Sequence, residues 1–151
     1  MTDIADSQTR SRMMAGIRSR DTKPELLVRR YLHAQGFRYR LNVRSLPGSP
    51  DLVLAKWRTV IFVHGCFWHR HPGCTLAYTP KSRQPFWLEK FEKNVARDAA
   101  AITALESAGW LVIVVWECAL RKNGQRAVLA ELGQRIRGKD SNGGVSRRSV
   151  E

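Results

Sequence analysis

Three of the four histidines (His64, His69, His71) and two of the three cysteines (Cys66, Cys74) fall within eleven residues. Thiolates and neutral imidazoles suit zinc, and a closed shell of four ligands marks a structural site. Cys66, His71 and Cys74, spaced C-x4-H-x2-C and joined by Cys118 from the end of a later strand, make such a set. His64 and His69 compete as ligands. The plainer alternative is that Cys118 is a core thiol and the other two are spare, since free cysteines are often just buried. The physical use of the metal would be to stiffen a loop of ~20 residues that is too long to order itself.

Acids are scarce, so their places matter. Between Asp21 and Glu89 only Glu25 and Asp51 are acidic. Asp51 opens an apolar strand directly after Pro50, where a carboxylate can hold Mg²⁺ through oxygen; capping a turn is its plainer fate. Glu25 is accounted for as the reciprocal residue of a Thr22 capping box. Asp98 falls inside the apolar stripe expected from Leu88, Phe91, Val95, Ile102 and Leu105, at ~100° per residue. An inward carboxylate needs a partner, either an arginine or a metal or histidine. His64 ends the strand beside that of Asp51, and His69 can act as a general base towards water.

Phe67, Trp68, Phe86 and Trp87 lie near Arg70 and Arg83. Exposed planar side chains of this kind stack on bases or wedge between them; alternatively they roof a small core over the cysteines. The chain carries 26 Lys+Arg against 13 Asp+Glu, a net charge of +13 and a pI near 10.7, which points to a polyanionic partner. No apolar run approaches the ~18 residues of a membrane span, and the first residues lack an apolar signal core. An odd cysteine count argues against a disulfide framework. The expectation is a cytoplasmic, nucleoid-associated monomer without a membrane partner.

These residues need positioning. A basic segment, residues 1–20, looks weakly helical over Ser7 to Ser19. A capped helix starts at Thr22-Lys-Pro-Glu25, with Leu26, Leu27, Tyr31 and Leu32 as its apolar face and Gly36 as its stop. Alternation from Phe37 to Arg44 predicts a half-buried strand. Asp51–Ala55 and Thr59–Val63 read as short central strands, Gly65 to about Gln84 as loop, and Pro85–Ser107 as a long helix. Leu111–Val115 is a further buried strand and Arg126–Arg137 a last amphipathic helix. The order α-β-β-β-α-β-α implies a single α/β domain, 21–138, with a mixed central sheet flanked by helices. The polar tail, 139–151, lacks a core pattern and is expected to be disordered.

The runs SLPGSPDLVL, VIFVHGCFWHRHPGC, FWLEKFEKNVARD and LVIVVWECAL resemble the very-short-patch-repair mismatch endonuclease family. The likeness extends from about Gln8 to Leu120, and HGCFWH with the later RD and WEC carries it. It implies a restriction-endonuclease-like core and a Mg²⁺-dependent nick just 5′ of the T in a T:G mismatch, the product of 5-methylcytosine deamination. By the resemblance Asp51 ligates Mg²⁺ with the Val63 carbonyl, and Glu25, His64, His69 and Asp98 complete the catalytic set, Asp98 paired with a histidine. Structural zinc falls on Cys66, His71, Cys74 and Cys118. Phe67, Trp68 and Trp87 wedge in from the major groove and Met14 from the minor groove. Double-stranded DNA with a T:G mismatch is then the partner, with general mismatch-repair proteins beside it. The acid and lysine of the wider restriction fold are replaced here by Phe62 and His64, which favours a histidine-assisted hydrolysis. The rival readings are a non-catalytic zinc-containing DNA-binding module and a repair nuclease for another lesion or sequence context.

Overall fold

The computed structural model describes residues 22–121, 124–138 and 149–150. The basic segment 1–20, with Met14, and tail residues 139–148 and 151 lie outside the described residues.

Helix α1, Lys23–Ala34, begins as the sequence dictates. Thr22 Oγ1 accepts the Glu25 amide at 3.3 Å, and Pro24 occupies the first turn, where no N–H is needed. Its buried residues are Glu25, Val28 and Leu32, spaced i, i+3, i+7. The inward stripe is therefore rotated from the expected Leu26-Leu27-Tyr31-Leu32 face; Leu27 and Tyr31 pack at its side. The expected strand from Phe37 shrinks to β1, Arg40–Leu41, because Phe37 turns into the core and Asn42 takes a left-handed φ of 48°.

Strands β2 (Leu52–Leu54), β3 (Thr59–His64), β4 (Leu111–Trp116) and β5 (Ser149–Val150) complete one mixed sheet in the order β1-β2-β3-β4-β5. The β1–β2 and β2–β3 pairs are antiparallel and the β3–β4 and β4–β5 pairs parallel. Between β3 and β4 the chain passes through a short helix α2 (Cys66–His69) and the long helix α3 (Gln84–Ser107), the crossover that parallel pairing requires. Helix α4 is Gln125–Gly138. The described residues contain no helix long and apolar enough to cross a membrane.

Side chains alternate across the sheet. Ile61 and Ile113 join α1 and α4 in one apolar cluster, while Val60, Phe62, Val112 and Val114 meet Leu105 of α3 in another. His64 continues the parity of Val60 and Phe62 and so points to the α3 side. On α3 the buried residues are Phe91, Ala101 and Leu105, whereas Leu88 and Val95 are exposed. The stripe runs along 91, 94, 98, 101 and 105, and Asp98 lies on it by a different phase than the sequence suggested. The turn ahead of β2 is seated against this helix. Gly48, at φ +73°, approaches so closely that a Cβ would lie 2.8 Å from that of Ala101 and 3.1 Å from the Phe62 ring.

Candidate active site and metal centre

The carboxyl-terminal end of β3 and the start of β2 open onto a cavity of about 750 Å³, whose wall includes Glu25, Asp51, His64, His69, Asp98 and Glu117. Asp51 Oδ2 accepts the Val63 amide at 2.7 Å across the β2–β3 pair. Glu25 is 1% exposed; its carboxylate pairs with Arg29 one turn later and meets the Asp51 carboxyl. The capping box thus supplies the amide contact, but the Glu25 side chain serves the cavity. Burial, joined by the Glu25 carboxylate, pushes Asp51 up to about 7 against the pull of the Val63 amide. A buried carboxyl facing a half-buried one is a donor set that a hard divalent cation relieves, because its charge replaces the missing solvent. The residues present fit such an ion.

The histidines form a different arrangement. His64 and His69 stack face to face, with centroids 3.8 Å apart and planes within 3°. His69 Nδ1 lies 2.6 Å from Asp98 Oδ2, which answers the demand of the inward acid for a partner. His64 is buried, its Nδ1 has no hydrogen-bond partner, and Trp116 meets its ring edgewise at 5.2 Å. Burial, then neighbouring His69, hold it down to about 3, so it is neutral. His64, His69 and Asp98 bring ligand atoms within 4.8 Å of one another, yet this is a poor chelate. Imidazole lone pairs lie in the ring plane, and two stacked parallel rings cannot both aim in-plane at one ion. The geometry suits proton handling: a Nδ1–H held by Asp98 leaves Nε2 of His69 as the base.

Around the corner, Cys66, His71, Cys74 and Cys118 also bring one ligand atom each within 4.8 Å of the others. Sγ of Cys118 and of Cys66 lie 3.3 and 3.7 Å from His71 Nδ1, close to the ligand–ligand separations around a tetrahedral ion with bonds of ~2.0–2.3 Å. Burial pushes the Cys66 thiol up to about 12, a cost that a bound cation removes. The donor set fits a metal. Trp116 stacks on His71 at 4.3 Å, orienting the ring from behind. The loop has a second staple besides: the Arg70 guanidinium donates to the carbonyls of Phe67, Ala77 and Tyr78 and to Thr79 Oγ1, and covers the Phe91 ring at 3.8 Å. Arg70 is therefore occupied within the loop, not presented for stacking.

Phe67 and Trp68 sit on α2 at the cavity mouth, half-buried, their rings 4.9 Å apart. Trp87 of α3 lies 5.8 Å from Phe67 and 5.9 Å from Trp68. Phe91 is the buried base of this group, and Phe86 stands exposed under Arg83. Roofing and reaching out are divided among the rings.

The family model for DNA mismatch endonuclease Vsr matches residues 2–75. Vsr of Escherichia coli K12 is 50% identical over 121 residues, covering 80% of this chain and 77% of that protein. The type II nicking enzyme V.NmeAIP of Neisseria meningitidis is 53% identical over 80% of this chain and 86% of its own length, and V.XorIIP of Xanthomonas oryzae 48% over 80% and 88%. The chain belongs to the Vsr family. In this member the mixed sheet carries the cavity at its edge and the Cys/His cluster beside it.

Of the residues singled out in the sequence, Glu25, Asp51, His64, His69 and Asp98 line one cavity, Val63 binds the Asp51 carboxylate, and the four soft ligands converge next door. Met14 lies outside the described residues. Sequence reasoning missed Arg29, the partner of Glu25, and Trp116 and Glu117. The signal for the last two was their place directly before Cys118.

Proposed function

We propose that this Vsr-family chain nicks double-stranded DNA on the T-bearing strand of a T:G mismatch, just 5′ of the T, by Mg²⁺-dependent hydrolysis. The observation that carries this reading is the His69–Asp98 contact at 2.6 Å facing Asp51 across one cavity. It supports a reading with a general base opposite a cation site. Asp51 and the Val63 carbonyl would hold Mg²⁺, with Glu25 behind. Bound there, the ion would neutralise the scissile phosphate and stabilise the leaving 3′ oxygen.

The chain's own groups do the rest. His69 takes a proton from water at Nε2 while Asp98 holds its Nδ1–H and steadies the imidazolium that results. His64, neutral and stacked beneath, fixes the plane of that ring. Cys66, His71, Cys74 and Cys118 hold structural Zn²⁺, which keeps α2 in place. Phe67, Trp68 and Trp87, with Met14 from the opposite groove, insert beside the mismatch; the half-buried rings at the cavity mouth support this. The name DNA mismatch endonuclease borne by the Escherichia coli relative agrees.

The test is a nicking assay on duplexes that differ only in T:G, T:A or C:G at one position, with and without added Mg²⁺. Nicking confined to T:G with Mg²⁺ is expected. Asp51→Ala should abolish it and spare binding; equal cleavage of all three duplexes sinks the substrate assignment.

A further inference from the structure

Strands β3 and β4 run in parallel register from Thr59↔Leu111 to His64↔Trp116. Continued past the strand ends, that register leaves Gly65 and Cys66 beside Glu117 and Cys118. Glu117 Oε1 accepts the Cys66 amide at 3.0 Å. This amide is a first-turn donor of α2, which has no side-chain cap from its own segment. Residue Glu117 also lines the cavity with Asp51, His64, His69 and Asp98.

The helix so gripped is four residues long: a metal ligand, two wedge aromatics and the His69 base. Too short to hold itself by propensity, it is fixed at its far end by Asn94 Nδ2, which donates to the Trp68 carbonyl at 3.2 Å, and at its near end by Glu117. A charged acceptor at the first turn gives a stronger, more directional grip than a neutral one.

We infer that Glu117 is a positioning residue: its carboxylate clamps the Cys66 amide and so sets His69 over the Asp51 site. The inference rests on the nicking reaction proposed above. It is tested in the full-length, zinc-loaded protein with Glu117→Ala and Glu117→Gln, since Gln keeps an acceptor oxygen and loses the charge. Glu117→Ala should lower kcat on the T:G duplex about tenfold to a hundredfold, the cost of a small misplacement, while bound zinc and duplex affinity without added Mg²⁺ stay at wild-type levels. Amide exchange over Gly65–His69 should rise, and Glu117→Gln should return both kcat and exchange most of the way.

Full kcat in Glu117→Ala overturns the inference. So does equal loss in both variants, which would mean that the charge itself acts in the cavity. Loss of zinc in Glu117→Ala overturns it too, by making the residue a support of the metal shell. If the wild-type protein fails to nick the T:G duplex, the nicking reaction is what has failed, and the exchange data alone decide the clamp.

Discussion

The two sides of the Cys66–His71 turn make opposite use of similar residue types. On one side, three sulfurs and His71 close around a point, with Trp116 stacked behind. On the other, His64, His69 and four carboxylates border an open cavity. The closed side has no room for a substrate, whereas the open side has room for a phosphate. The two share a backbone, since His69 and His71 are two residues apart, so loss of rigidity on one side should appear as lost chemistry on the other.

The strongest way to break this division is to open the closed side. Cys118→Ser, or stripping the metal with a chelator, should abolish nicking and lower the unfolding temperature together, because a structural metal contributes directly to folding. Calorimetry with a metal assay checks this. A chelator-treated protein that keeps its melting temperature would show the cluster to be idle thiols. Next in size, His69→Ala should cut kcat about 10²–10⁴-fold, the range for a lost general base, with bound metal and melting temperature unchanged. Asp98→Asn should follow it in part, measured under single turnover. An effect of His69→Ala on metal content would blur the boundary between the two sides.

Smaller still, Trp68→Ala should weaken binding of the T:G duplex by about 1–3 kcal/mol, the worth of one stacked base, and spare a matched duplex. Titration of both duplexes by fluorescence anisotropy reads the difference. Last, Gly48→Ala should cost about 1–3 kcal/mol of stability through overpacking against Ala101 and Phe62, seen as a lower urea midpoint. Since that turn leads into Asp51, its kcat should fall more than its duplex affinity.

Much of the site was legible in the sequence, for reasons tied to particular residues. The cluster from His64 to Cys74 could be read because it lies in one loop, and Asp51 because it stands alone at a strand start. The elements carrying them were legible wherever burial is simple: β2 and β4 are apolar throughout, and β3 is apolar between Thr59 and His64. Reading failed where two environments compete. Leu88 and Val95 suggested a stripe that the fold leaves exposed, because α3 packs inward along Phe91, Ala101 and Leu105 instead. The alternation after Phe37 collapsed to two paired residues once Asn42 turned left-handed. Glu25 was explained by its cap and turned out to face Asp51 as well.

The chain by itself determined the donor types, the strong basic charge and the order of the longer elements, since these follow from composition and local periodicity; it did not determine the short α2 and β5. Tertiary structure decided everything that depends on distance between segments. It stacked His64 on His69, gave Asp98 its histidine, and brought Cys118 to His71 across forty-seven residues. It also laid Glu117 against Cys66, a pairing that no local spacing specifies. The parallel register of β3 and β4 is the physical reason for those last two: it brings their ends to the same edge of the sheet, and there both centres are assembled.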